Sequence, residues 1–173
     1  MFKTFIDDRI ELKPAGRRLV WGLVLIYALM ICWMCFGPQH VIDGVETPGI
    51  QHYGRLVVLL TPFNSFVHFG QLQSWWQIFW VLGQNAVNIL LLFPFILGLL
   101  ALFPKLRGYR KILLTAFIMS LFIECTQLAL DALIDANRVF EIDDLWTNSL
   151  GGPLALWVYQ KLSLHLKNSS QKS

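Results

Sequence analysis

The 173-residue chain is 55% hydrophobic and 14% charged, a balance that supports one compact bundle and excludes a separate soluble domain. Its mean hydropathy of +0.54 accompanies a formal net charge of +3 that is polarised along the sequence. The basic groups fall where anionic inner-leaflet headgroups would attract them, so a nucleic-acid partner is excluded.

In chain order, residues 1–18 place Phe2, Phe5, Ile6 and Ile10 near helical spacing among charges. This suits a short cytoplasmic helix on the inner membrane surface, ended by Pro14 and Gly16. An apolar run at 19–36 reads as a first span and an uncleaved signal anchor. Cys32 and Cys35 lie inside it, where a redox loop has no place, and read with Cys125 as small membrane-embedded residues. The outer segment 37–77 is punctuated by Pro38, Asp43-Gly44 and Pro48-Gly49. Its apolar stretch 56–60, followed by the turn Thr61-Pro62-Phe63-Asn64, should rest on or dip into the outer leaflet and pack over the bundle. A loop of this length is typically functional or a lid. Further spans are predicted at 78–103, 112–130 and 145–162, each about bilayer length. They are joined by a basic cytoplasmic connection at 104–111 and an acidic outer one at 131–144, with a cytoplasmic tail at 163–173.

The fold class is therefore an all-α membrane protein, a four-helix transmembrane bundle with both termini cytoplasmic and a long first outer loop. That topology puts all but Arg55 and Arg138 of the 14 Lys and Arg residues inside. Asp43, Glu46, Asp131, Asp135, Glu141, Asp143 and Asp144 then lie outside. Interfacial aromatics agree: Trp33, Trp75, Trp76, Trp80 and Trp146 fall near the outer boundary, and Trp21, Tyr109, Trp157 and Tyr159 near the inner one.

Polar side chains within spans are costly and face the bundle interior or a wet cavity. Ser120, Glu124, Gln127 and Asp131 form one stripe on the third helix, Asn85 and Asn88 share a face of the second, and Asp144, Asn148, Gly151, Gly152 and Ala155 form a stripe on the fourth. At about 1.5 Å per residue, Glu124 sits about 10 Å below the outer surface, with Asn85, Asn88 and Asn148 at comparable depth. The inner halves lack polar counterparts, which predicts an outward pocket and argues against a channel or pump. For Asn85, Asn88, Gln127 and Asn148, plain interhelical hydrogen bonding stands beside ligand contact. One of Asp143 and Asp144 is expected to cap the fourth helix. Glu124 is expected either to pair with Arg138 structurally or to serve a functional site. Gly151, Gly152 and Ala155 offer a small-residue surface for close helix packing.

Thr61-Pro62-Phe63, Asn88-Ile89-Leu90-Leu91-Leu92-Phe93-Pro94-Phe95, Glu124 with Gln127, Arg138-Val139-Phe140-Glu141-Ile142-Asp143-Asp144 and Asn148-Ser149-Leu150-Gly151-Gly152 together resemble the VanZ-like family across about residues 61–162. Two departures are Ile96, where a glycine is usual and Gly98 follows, and Glu141, where the family often has Asp. The resemblance implies a multi-pass protein of the bacterial cytoplasmic (inner) membrane with a cell-envelope role in glycopeptide, notably teicoplanin, resistance or tolerance.

Three functions follow as expectations. The leading one is a non-enzymatic protein binding a lipid-linked wall precursor or a lipoglycopeptide antibiotic from the outer leaflet. Its ligand-binding residues would be Asn88, Glu124, Gln127, Arg138, Asp143, Asp144 and Asn148, with Arg138 on an anionic headgroup. The second is an intramembrane enzyme on lipid-linked substrates, with Glu124 as acid or base and Asp143 and Asp144 as candidate metal ligands. The third is a structural partner, with the Gly151–Gly152 surface meeting another membrane protein. No cofactor is expected; membrane lipids are partners, and an oligomer is compatible with all three.

Overall fold

The structure, a computed structural model, describes residues 5, 7, 11–38, 48–67, 70 and 75–170. Four long helices dominate: α1 (Pro14–Phe36), α3 (Trp75–Leu102), α4 (Tyr109–Ile134) and α5 (Ile142–Ser170). Three short strands, β1 (Gln51–Tyr53), β2 (Leu56–Leu59) and β3 (Val139–Glu141), and the single-turn helix α2 (Asn64–Val67) lie in the two connections predicted to be outside.

Pro14 opens α1 where the sequence suggested it would close a preceding helix. At the first helical position its missing N–H is no loss and its φ is already helical. The proposed surface helix before it lies largely outside the described residues. Helices α1, α3 and α4 are long and apolar enough to cross a membrane, and most of each apolar window is not covered by protein. Their outward side chains include Leu25, Leu29, Leu82, Leu90, Leu114 and Phe122, and Trp33 and Trp75 stand at helix ends with little covering them.

Helix α5 has 29 residues but is not among the three that are apolar enough to span. Its packing supplies the reason. It makes the most extensive contacts in the molecule, with α3 on one side and α4 on the other, while α1 leans chiefly on α3. A helix wedged between two others needs small side chains on the faces it buries, while Trp146, Leu150, Trp157 and Leu162 stay exposed on the rest of α5. Gly151 and Gly152 are buried, the first against the backbone of α3 at Ile89 and the second against Ala116 and Ile112 of α4. The glycine surface is thus consumed inside the chain, which removes it as a docking face for another protein. Leu92, Ile96, Leu100, Ile112, Ala116, Ala155 and Leu156 complete the core. Ile96, standing where a glycine is usual, is fully enclosed, and Gly98 instead receives Val24 of α1.

The expectation of an all-α fold requires a correction. Gly54, at φ +64°, provides the positive-φ first position of a two-residue hairpin turn, and β1 pairs antiparallel with β2. Strand β2 then pairs in parallel with β3, Val57 opposite Val139 and Leu59 opposite Glu141. The apolar stretch around Val57–Leu59 therefore buries itself in a sheet beside α4, with Leu59 only 2% exposed. Strands of three or four residues are too short to show a clear alternation in sequence.

At the opposite end, a 3-10 turn (Pro104–Leu106) joins α3 to α4. Arg107 is fixed there by an ion pair of 2.6 Å to Glu11, a bond from its Nε to the Leu100 carbonyl, and the face of Tyr159 4.7 Å from its guanidinium carbon. One cation thus ties the chain before α1 to α3 and α5.

Candidate functional site

The polar stripe of α4 faces inward. Ser120, Glu124 and Asp131 are buried, Glu124 to 1% exposure, whereas Leu114, Ile118 and Phe122 of the same helix are exposed. The side chain of Glu124 receives the backbone N–H of Glu141 at 3.2 Å, so β3 is stitched to α4 through a carboxylate. Because α5 begins one residue later, β3 also delivers Asp143 and Asp144 to the first helical turn, where acidic groups favour the positive dipole end.

Asp144 is the hub. Its Oδ1 accepts from Asn88 Nδ2 at 2.6 Å, joining α3 to α5. Its main-chain carbonyl accepts from the Ser120 hydroxyl at 3.0 Å, joining α4 to α5. One turn further along α5, Asn148 donates from Nδ2 to Ser120 Oγ at 3.2 Å. Three helices and one strand therefore converge on a single polar constellation of Asn88, Ser120, Glu124, Glu141, Asp144 and Asn148. The carbonyl oxygen of Asn148 is left inside it without a hydrogen-bond partner, in a side chain 1% exposed.

The remaining sequence candidates do other work. Asp143 turns the other way and accepts the backbone N–H groups of Phe63 and Asn64 at 2.7 and 2.8 Å, fastening α2 and the end of the outer hairpin to α5. Of the two aspartates, Asp143 therefore caps a helix, but it is α2 rather than its own. Gln127 donates to the Cys35 carbonyl at 3.1 Å. Arg138 donates from Nε to the Gly37 carbonyl at 2.7 Å and from Nη2 to the Met34 carbonyl at 2.6 Å. The anticipated Arg138–Glu124 ion pair is thus replaced by a cation on the C-terminal carbonyls of α1, the negative end of that helix. Asn85 folds back onto the Val81 carbonyl of its own helix.

Glu141 and Ser120 are members that sequence reasoning did not single out as site residues. Ser120 carried a signal, since it lies on the Glu124 stripe. Glu141 carried one only through the family motif, as an acidic position, and the strand pairing is what places it beside Glu124 and Asp144. In the connecting strand, burial first, and then the negative charges of Asp144 and Asp143, push the Glu141 carboxyl well above the ordinary Glu range. None of Glu124, Glu141, Asp143 and Asp144 forms an ion pair among the described residues. No three His, Cys, Asp or Glu side chains converge there as a metal-binding group either. Asp143 and Asp144 bond to different partners, Asp143 to the start of α2 and Asp144 to Asn88.

A family model described as VanZ/LLP1 matches residues 24–164, which takes in α3 and α4 whole, α1 from Val24, α5 as far as Leu164 and every member of this constellation. Neither the curated proteins nor the solved structures provide a match.

Proposed function

Because the chain belongs to the VanZ/LLP1 family and carries membrane-length apolar helices, we propose that it is a four-span protein of the bacterial cytoplasmic membrane that binds a lipid-tailed envelope molecule in an outward-facing polar recess. The ligand is a lipid-linked wall precursor or a lipoglycopeptide, and its capture contributes to glycopeptide tolerance, including tolerance of teicoplanin. The charge asymmetry supports the orientation: with both termini and the 104–111 connection inside, the constellation lies towards the outer surface.

One observation carries the reading. The central helix of the bundle spends Asp144 and Asn148 on a buried polar junction with Asn88, Ser120 and Glu124, at a depth where apolar packing would hold the helices more cheaply. The sheet and the Asp143 fastening lie at the same end as this junction and supply its roof. Arg138 and Gln127 act one step removed, by holding α1 in place.

The test is direct binding of teicoplanin and of a purified lipid-linked wall precursor to the full chain in nanodiscs. Saturable binding of one of them, weakened at least tenfold by Glu124→Gln or Asn88→Ala, is expected. Affinities indistinguishable from wild type in both variants reject the recess as the binding site, and turnover of the precursor would favour an enzyme instead.

A further inference from the structure

We infer that the recess selects a ligand bearing a protonated amine, such as a primary ammonium headgroup on a lipid-tailed molecule. The inference rests on the binding role proposed above and names the chemistry of that same site.

The identified side-chain donors around the site have protein acceptors: Asn88 Nδ2 on Asp144, Asn148 Nδ2 on Ser120, the Ser120 hydroxyl on the Asp144 carbonyl, Gln127 on Cys35, and the Arg138 guanidinium on Met34 and Gly37. An anionic headgroup would therefore compete for amides and a guanidinium that already hold helices together, beside three acidic side chains that would repel it. The larger surplus is accepting capacity. Glu124, Glu141 and Asp144 form no ion pair among the described residues, and each carboxylate can accept more bonds than it does.

Asn148 points the same way independently. Its carbonyl oxygen is sealed within the constellation with no donor, and a buried acceptor of this kind is costly until a partner arrives. A group with several N–H donors and a positive charge answers both demands at once. A bare divalent cation does not, because no three carboxylates converge upon a common point among the described residues. Glu141 and Asp144 are partly exposed while Glu124 and Asn148 are buried, so the ammonium would be received first at the carboxylates of Glu141 and Asp144.

The probes are dodecylamine, N-dodecylacetamide and dodecyl phosphate, which share one tail and differ in charge. They are titrated against the full chain in phosphatidylcholine nanodiscs, with empty nanodiscs subtracted for partitioning. Saturable binding of dodecylamine at least tenfold tighter than of the acetamide or the phosphate is expected. Glu141→Gln and Asp144→Asn should each remove at least tenfold of that preference. Asp144→Asn keeps an acceptor for Asn88, and the thermal transition of each variant verifies folding. Equal binding of amine and acetamide, or an amine preference unchanged in both variants, overturns the charge selection. If the acetamide binds as well as the amine and Asn88→Ala weakens both, the recess stands and only the ligand class is wrong. If no probe, wall precursor or teicoplanin binds saturably, the recess itself falls.

Discussion

Replacing Gly151 by Ala adds one methyl group where α5 meets the backbone of α3. The new Cβ would overlap the Ile89 carbonyl oxygen of α3 and approach the Phe93 amide nitrogen at 3.3 Å. Both obstacles are backbone, so no rotamer change relieves them, and α5 must retreat from α3 by about an ångström to recover an ordinary contact of about 3.5 Å. Overpacking of this kind costs about 1–3 kcal/mol, against which Ala returns up to about 1 kcal/mol of helix propensity. Gly22 provides the control, since a Cβ there meets nothing within 4 Å and the propensity gain of about 0.5–1 kcal/mol should appear undiminished. The propensity gain cancels between the two, so they should differ by the overpacking cost of about 1–3 kcal/mol, roughly five- to 150-fold in the unfolding equilibrium. Gly152→Ala meets Ala116 Cβ at 2.9 Å and the Ile112 carbonyl at 3.0 Å, and should fall between them. Unfolding by denaturing detergent in mixed micelles, followed by tryptophan fluorescence, measures all three. A Gly151→Ala protein as stable as Gly22→Ala would show that α5 is not wedged between α3 and α4.

Asp143→Ala removes the acceptor for two backbone N–H groups at the start of α2, which should cost about 1–2 kcal/mol locally after allowance for partial exposure. Hydrogen exchange should accelerate roughly tenfold at Phe63 and Asn64, and the interior of α4 should be unaffected; unchanged protection would contradict the fastening. Glu141 holds its proton more tightly folded than unfolded, so its contribution favours the folded state at low pH. That contribution declines as pH rises from the unfolded value of about 4.3 through the raised folded value. Glu141→Gln should flatten this decline in a series of thermal transitions. A variant with the wild-type pH slope would assign the effect elsewhere.

Much of the site was legible because polar groups in an apolar run carry a large cost that only an interior position repays. That logic located Glu124, Asn88 and Asn148 and placed them together on facing stripes. It did not identify the partner of Arg138, because proximity in sequence favoured Glu124, whereas the winning acceptors belong to the end of α1, about a hundred residues away. The outer strands escaped notice for a related reason: a three-residue strand carries too little pattern, and a parallel pairing across two membrane-length helices leaves no local trace. The modest apolarity of α5, read alone, weakens its claim as a span. Its central location explains that composition without denying it the role.

The pairing of β2 with β3 also sets an order for biogenesis. The partners of the Phe63–Asp143 bond are separated by 80 residues, so both α3 and α4 must be synthesised and inserted before the roof can close. Contacts of such long sequence separation carry a high loop-closure cost and form late. Until the start of α5 emerges, the Leu56–Leu59 segment lacks β3 along one edge, and that edge stays unpaired.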